Sequence, residues 1–409
     1  MLEKNQVHKH IHATIYSALI NSSTKLNRWR RIFIIETLLL FLGIQGRINF
    51  LQLARFSSRG EQSFRQQFEK PFDFMEFNTH LVNENFSSRR AIAIDPSHIT
   101  KSGKKTPYLG SFWSGCAKAM KKGLEIMGVA AIDVDSHQAL HLEAIQTPPS
   151  KTLAIMCKSL IDWYLYLIKK KQEQLLAISS TIVADAYFAK LPFVKELRAM
   201  RFHLVSRLQN NASLYYLYTD KQQGKRGRPK KYDGKVDYKN PELSKLKAFQ
   251  YKSNTCYYTI VHSVALKCNI LLIIEQTTIK GKTIQRMIFS TDITANHIDV
   301  LDTYHARFLI EFQFRDAKQA TGLTHSQARS LNKLHTHFNF ALTAVNLAKI
   351  AHWNTDNTSH VPFSISDIKI LIHNKMMVKL FIRKFGINPN SKKNHNIINE
   401  LLLYGVKTA

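Results

Sequence analysis

Acidic residues are scarce in this chain of 409 residues. Only 29 Asp and Glu stand against 58 Lys and Arg, which gives a formal net charge of +29. Such an excess on a chain with a folded composition points to a polyanionic partner, and nucleic acid is the first candidate. An anionic membrane surface is the weaker alternative, because no long basic amphipathic helix stands apart from the rest of the sequence.

Long apolar runs are also missing. The longest, from Ile32 to Ile44, is interrupted by Glu36 and Thr37, and it is shorter than the roughly 20 residues needed to span a bilayer. No signal-peptide pattern opens the sequence. We therefore expect a cytoplasmic protein that has no membrane partner.

Cysteine is rare, with four residues in the chain. They form no C-x-x-C pair, and no His lies at zinc-site spacing, so we expect buried, reduced thiols. The hydrophobic fraction of 44% is that of a folded protein. The length is sufficient for two to four domains with a sizeable core. The cysteines are Cys116, Cys157, Cys256 and Cys268.

The stretch from Tyr304 to Lys318 contains neither Gly nor Pro and alternates apolar with charged residues. This pattern predicts one continuous, largely buried helix. At 100° per residue, Tyr304, Arg307, Glu311 and Lys318 fall within about 60° of one another on one face. A Glu in such apolar surroundings requires a base, a proton or a metal ion as its partner. For this stretch taken alone, an ordinary Arg307–Glu311 ion pair at i,i+4 spacing is the favoured interpretation.

Residues 1–88 are predicted to be helical. Apolar residues between Ile15 and Phe33 recur at helical spacing, and Gly- and Ser-containing turns separate shorter helices further on. Short helices with arginines nearby are compatible with a helix-turn-helix DNA reader. A plain helical bundle with solvated arginines explains the pattern equally well.

From residue 89 the apolar pattern becomes that of strands. Three strands, a helix, a strand, a helix and a strand follow one another, which is typical of a mixed α/β sheet flanked by helices. The strands are predicted at 91–94, 128–133, 139–144, 181–184 and 202–208. The helices are predicted at 150–171 and 188–200, and a further helix at 330–353.

The composition shifts at residue 210, and residues 212–290 are predicted to form a β-rich insertion. Within it, residues 224–231 contain no apolar side chain and must form a basic loop or ribbon. Arg226 and Arg228 lie in an Arg-Gly-Arg-Pro segment that resembles an AT-hook, whose arginines enter a narrow minor groove. A loop that contacts phosphates is the favoured alternative. Both interpretations make Arg226 and Arg228 candidate DNA ligands.

These patterns divide the chain into four regions. We expect a helical N-terminal DNA-binding region at 1–88, an α/β catalytic core at 89–211 and 291–353, the β-rich insertion at 212–290, and a helical C-terminal region at 354–409, with short helices over 360–409.

Asp95 and Asp185 each follow a short apolar strand. In open α/β sheets ligands bind beyond the ends of the strands, and Glu311 can supply a third oxygen ligand there. Three converging carboxylates repel one another unless a cation neutralises them, and oxygen ligation suits Mg²⁺ or Mn²⁺. Two such ions about 3.5–4 Å apart promote phosphodiester cleavage. For either Asp alone, a turn or helix cap is the competing interpretation, as it is for Asp133 and Asp162.

The spacing Y-x-x-R-x-x-x-E-x-x-x-x-x-x-K of Tyr304, Arg307, Glu311 and Lys318 resembles the signature of the DDE transposases of insertion sequences, which have a ribonuclease-H-like core. The resemblance extends to the segments Ala-Ile-Ala-Ile-Asp, ending at Asp95, and Val-Ala-Asp-Ala-Tyr-Phe, around Asp185. It also includes the β-rich insertion, and it covers roughly residues 89–350.

The resemblance implies that Asp95, Asp185 and Glu311 form a catalytic triad that binds two Mg²⁺ or Mn²⁺ ions. It also implies that Tyr304, Arg307 and Lys318 hold DNA near the cleaved phosphate, which agrees with the affinity of Arg and Lys for phosphates and of Tyr for a displaced nucleotide. One departure is mild. The family often has Thr two positions after the first Asp, and this chain has Ser97, which keeps the hydroxyl.

The expected function is cut-and-paste movement of an insertion sequence. Hydrolysis at the element's end would leave a 3′-OH that attacks either the opposite strand or target DNA, and positioning and electrostatics would carry most of the catalysis. The expected partners are double-stranded DNA and, by family analogy, a second copy in a synaptic complex. Two alternatives stay open: a non-enzymatic or decayed DNA-binding protein, and a ribonuclease-H-like nuclease without strand transfer.

Overall fold

The computed structural model describes residues 7–22, 25–115, 117–219, 229–238, 241–279, 282–355 and 362–407. The chain has a mixed α/β fold built on a twelve-stranded sheet, with helices on both faces and helical regions at both ends. This agrees with the ribonuclease-H-like architecture expected from the sequence. None of the helices in the described part of the chain combines the length and apolarity that a bilayer crossing requires.

Fourteen α-helices lie in the described ranges. They are α1 (Val7–Ile20), α2 (Arg28–Gly43), α3 (Phe50–Arg55), α4 (Glu61–Glu69), α5 (Phe74–Asn85), α6 (Ser150–Ile155), α7 (Leu160–Lys170), α8 (Gln172–Leu176), α9 (Leu191–Ala199), α10 (His297–Ala306), α11 (Leu309–Gln319), α12 (Leu331–Thr355), α13 (Ile365–Phe385) and α14 (Lys392–Leu403).

The strands run in one continuous sheet. They are β1 (Arg90–Thr100), β2 (Gly110–Ser114), β3 (Ala119–Asp133), β4 (Gln138–Thr147), β5 (Thr181–Val183), β6 (His203–Arg207), β7 (Leu214–Leu217), β8 (Tyr232–Lys235), β9 (Lys247–Tyr251), β10 (Asn254–Ser263), β11 (Cys268–Ile279) and β12 (Lys282–Ser290).

The core of the sheet has the order β4-β3-β1-β5-β6. Strand β1 is antiparallel to β3 and parallel to β5, and β5 is parallel to β6. Strand β2 pairs with the first half of β3, and β4 pairs with its second half. The insertion joins this sheet through β12, which pairs antiparallel with β6 and continues into β11 and β10. The insertion therefore extends the catalytic sheet edge to edge.

Helix α12 covers the outer edge of β4. Asn346 on α12 accepts from the backbone N–H of His141 and donates to its carbonyl, both at 2.8 Å. Asn339, two turns earlier, makes the same pair of bonds with Ala144 at 2.8 and 2.9 Å. Two buried amides thus replace the partner strand that the backbone of β4 lacks on this side, because unpaired buried backbone groups are costly.

The helical regions at both ends of the chain meet at α12. Helices α1, α2 and α4 pack against it, and α13 packs against α2. The buried ammonium of Lys369 on α13 donates to the carbonyls of Phe41 and Ile44 at the C-terminal end of α2. Burial lowers the pKa of this ammonium to about 8, and the partial negative charge at the C-terminal end of the helix offsets part of the cost of its charge.

Three predictions about local structure were wrong. The single helix expected at 150–171 is divided into α6 and α7, because Ser159 starts α7 as its N-cap and forms a capping box with Asp162. The C-terminal region is not limited to short helices, since α13 has 21 residues. The thiols are not all buried, because Cys157 is exposed, whereas Cys256 is buried.

Candidate active site

Asp95 lies in the middle of β1, so the prediction that it ends its strand was wrong. The reason is that β1 has two neighbours of different extent. Its pairing with β5 stops at Ala93, opposite Val183, whereas its pairing with β3 continues past Asp95, which lies opposite Gly128. Asp95 therefore lies past the last residue pair between β1 and β5, but it still pairs with β3.

Asp185 occupies the matching position just past the end of β5, the neighbouring strand. It lies two residues after Val183, just as Asp95 lies two residues after Ala93. Residues two apart on extended segments point to the same side of a sheet, so the register places both carboxylates on one face. One oxygen of Asp185 also accepts from the backbone N–H of Tyr187 at 3.0 Å. One carboxylate oxygen of Asp185 therefore caps the turn that follows, as the competing interpretation predicted. This bond does not exclude a second role for the side chain.

The stretch 304–318 is not one continuous helix, contrary to expectation. Helix α10 ends at Ala306, and α11 begins at Leu309. At the junction the backbone bonds shorten to i→i−3 spacing, from Ile310 to Arg307 and from Glu311 to Phe308. No Gly or Pro marks this break. The helix is also less buried than predicted, since Phe308 is exposed.

The junction nevertheless brings Arg307, Glu311 and Lys318 to Asp95 and its neighbour Ser97 on β1. The guanidinium of Arg307 lies 3.8 Å from Asp95 Oδ1 and 3.0 Å from Glu311 Oε1. In the last turn of α11, Lys318 Nζ donates to Ser97 Oγ at 2.9 Å. Ser97 keeps the hydroxyl of the Thr that is often found at this position of the family. The partner of this hydroxyl, Lys318, is itself a residue of the signature.

The electrostatics of the site centre on Asp95. Burial raises the pKa of its carboxyl to about 7. The nearby Arg307 and Lys318 favour the charged form, whereas the carboxylates of Glu311 and Asp185 oppose it. A buried carboxyl between two others carries a repulsion that a cation would relieve.

Tyr304, on α10, is partly buried at the other side of the same site. Burial raises the pKa of its hydroxyl, and the nearby Arg307, Arg207 and Arg286 oppose this. Arg207 was not among the residues predicted from the sequence. It lies two residues after Val205, which pairs with Val183. Asp95, Asp185 and Arg207 therefore occupy equivalent positions, each two residues past the last parallel pair of β1, β5 and β6.

Gly128 allows the helix that carries Glu311 to approach the sheet closely. It lies opposite Asp95 on β3, and a Cβ at this position would collide with the ring of Phe314 on α11. Phe314 is buried, and Gln313 beside it donates to the carbonyl of Ala139 at 2.7 Å. The position of α11 on the sheet is thus fixed by the contact of Phe314 with Gly128 and by the hydrogen bond of Gln313 to Ala139.

The other candidate residues divide into two groups. Asp133 accepts bonds from the backbone N–H and hydroxyl of Ser87 at 2.9 and 2.8 Å, and Asp162 caps α7, so both have structural roles. Arg226 and Arg228 lie outside the described residues.

The donor chemistry of the site fits divalent metal ions. Asp95, Asp185 and Glu311 supply only oxygens, and the raised pKa of Asp95 reflects burial among like charges. Among the described residues, however, no three His, Cys, Asp or Glu side chains are grouped closely enough to hold a metal ion. Instead, the guanidinium of Arg307 lies between the carboxylates of Asp95 and Glu311, and its positive charge partly compensates their negative charges.

Comparison with known families identifies the family of the chain. The profile of the family described as Transposase DDE domain matches residues 87–347, which include β1, β5 and α11. The chain belongs to this family, whose members are DNA-processing enzymes that generally use divalent metal ions. No curated protein matches the chain.

Proposed function

We propose that the chain is a metal-dependent cut-and-paste transposase and that Asp95, Asp185 and Glu311 are its catalytic triad. The observation that carries this proposal is the alignment of Asp95 and Asp185 just past the last parallel residue pair of β1 and β5, with Glu311 linked to Asp95 through Arg307. Metal ions held by the three carboxylates would activate a water molecule and stabilise the leaving oxygen at the scissile phosphodiester.

The neighbouring side chains position the DNA. Arg307 and Lys318 neutralise phosphate oxygens next to the cleaved bond. Tyr304 is placed to stack on a displaced nucleotide or to hydrogen-bond to it. Arg207 extends the row of the two Asp residues and adds a further positive charge on the side of β6.

We extend the proposal to the organisation of the protein. Residues 1–88 form a DNA-binding region, 89–211 and 291–353 the catalytic core, 212–290 the insertion with Arg226 and Arg228 as DNA ligands, and 354–409 the C-terminal region. Two copies synapse two element ends on double-stranded DNA in the cytoplasmic nucleoid of a bacterial-type cell. These statements rest on analogy with the family.

The direct test uses a supercoiled plasmid that carries the reading frame with its natural flanking DNA. In Mg²⁺ the wild-type protein should nick and release the element, and Asp185→Asn should lose at least about 10³-fold in rate. Asp162→Asn, which changes a carboxylate with a structural role, is the matched control and should cleave normally. Cleavage by Asp185→Asn at the wild-type rate would refute the triad.

The two alternatives have their own outcomes in the same experiment. A non-enzymatic DNA-binding protein would leave the plasmid intact in both Mg²⁺ and Mn²⁺. A nuclease without strand transfer would give cleaved DNA but no joined products.

A further inference from the structure

Six lysines and no carboxylate lie between Asp95 and Glu125. This segment, residues 96–124, forms the end of β1, all of β2 and the start of β3, and we name it the basic arm. Its lysines are Lys101, Lys104, Lys105, Lys118, Lys121 and Lys122.

The charge of the basic arm is not compensated within the described part of the protein. Five of its six lysines are exposed, and no ion pair involving any of the six is found among the described residues. Lys101 is the partly buried exception, and its ammonium donates to the carbonyl of Ser326. A dense group of unpaired, exposed positive charges creates a local potential that attracts a polyanion.

An exposed apolar pair lies on the same arm. The side chain of Trp113 on β2 is 59% exposed, and its cross-strand partner Met120 on β3 is 58% exposed. The neighbouring Phe112 is buried. A Trp that points to solvent from a basic hairpin is suited to stack on a base or to wedge into a base step.

The register places this pair on the catalytic face of the sheet. Gly128 lies opposite Asp95, and Met120 lies eight residues earlier on β3, opposite Trp113. An even separation along a strand keeps side chains on one face, so Trp113 and Met120 face the same way as Asp95. At about 3.3 Å per residue, they lie roughly 26 Å from the position of Asp95, which corresponds to about eight base pairs of duplex.

We propose that the basic arm is a DNA-binding surface beside the catalytic site. Its exposed lysines neutralise backbone phosphates of the duplex, and Trp113 with Met120 packs against a base step less than one helical turn from the scissile phosphate. The distance to the scissile phosphate rests on the proposed function, whereas DNA binding by the arm does not.

Salt dependence of binding tests the lysines. A fluorescein-labelled duplex of 40 base pairs, about four helical turns, is titrated in EDTA with a variant in which four arm lysines are changed to Gln (Lys104, Lys105, Lys121 and Lys122). The slope of log K against log salt should become less negative by about 3–4. The control changes four exposed lysines on α6, α7 and α9 to Gln (Lys151, Lys169, Lys170 and Lys195), and its slope should equal that of the wild type.

Equal slopes for the arm variant and the control would overturn the proposal. If the fourfold variant does not fold, as judged by its melting curve, the pairs Lys104/Lys105 and Lys121/Lys122 are tested as separate double variants, each with an expected change of about 2. Because these measurements need no metal, a failure of the triad assignment leaves them unaffected.

Tryptophan fluorescence tests the apolar pair. The chain has four Trp residues, and DNA should quench part of their emission by stacking on Trp113. The variant Trp113→Leu should lose most of this quenching, and quenching equal to that of the wild type would refute the contact. Duplexes from the natural element flank and of unrelated sequence, together with a single strand of the same length, show which DNA the arm prefers.

Discussion

The guanidinium of Arg307 reaches Asp95 across the junction of α10 and α11, with 3.8 Å between Nη1 and Oδ1. The same side chain also forms the i,i+4 ion pair with Glu311. The ordinary ion pair and the catalytic arrangement are therefore not alternatives. One guanidinium, with 15% of its side chain exposed, supplies positive charge to two of the three proposed metal ligands.

Replacement of Arg307 by Gln should raise the affinity for Mn²⁺ in the absence of DNA by about tenfold or more, because a cation that competes for Asp95 and Glu311 is removed. The measurement is the Mn²⁺ concentration that gives half of the metal-induced rise in melting temperature. Arg315→Gln, which removes an exposed Arg paired with Asp316 on the same helix, is the control. An unchanged midpoint in Arg307→Gln would contradict the competition.

The substitution Gly128→Ala should reduce cleavage more than it reduces stability. The new methyl group meets the ring of Phe314, so α11 must shift and carry Glu311 away from Asp95. A displacement on the order of 1 Å costs about 10²-fold in rate, whereas overpacking costs about 1–3 kcal/mol. Cleavage rates and urea unfolding of the same variant separate the two effects. A fully active Gly128→Ala protein would show that the close approach is not needed.

Arg207→Gln should weaken binding of DNA at the cleavage site and lower cleavage, because its charge lies in line with the two Asp residues. The loss of one phosphate contact should reduce the salt slope of binding by about 1. Arg201→Gln, at an exposed position before β6, serves as the matched control. If both variants bind and cleave alike, Arg207 has no role at the site.

Asn346→Leu should destabilise the fold without a specific effect on chemistry. It leaves the backbone N–H and carbonyl of His141 unpaired, at a cost of about 1–3 kcal/mol for each group. We expect a loss of about 2–5 kcal/mol in the free energy of unfolding. Asn332→Leu, on the exposed first turn of α12, should be nearly neutral. Equal stabilities of the two variants would refute the edge-covering role of Asn346.

The sequence predicted the fold class and the candidate triad because both depend on local patterns. Apolar strands followed by Asp95 and Asp185, together with the spacing from Tyr304 to Lys318, are visible in one dimension. The residues that were missed depend on strand pairing. Arg207 becomes a candidate only once Val205 is known to lie beside Val183, and Gly128 only once it is known to lie beneath Phe314.

The errors in element boundaries have similar causes. Asp95 was expected to end β1 because apolar character stops there, but pairing with β3 extends the strand through residues with no apolar pattern. The break at Arg307 has no local signal. It separates two helices with different neighbours, since α10 packs on β6, β11 and β12, whereas α11 packs on β1, β3, β4 and α12.

The affinity of the protein with DNA for Mn²⁺, followed by electron paramagnetic resonance, tests the central claim most directly. The wild-type protein should bind Mn²⁺ at the site, and Asp95→Asn, Asp185→Asn and Glu311→Gln should each weaken that binding by at least about tenfold. Asp162→Asn should bind as the wild type does. Unchanged Mn²⁺ binding in any one of the three variants would contradict the assignment of that residue as a metal ligand.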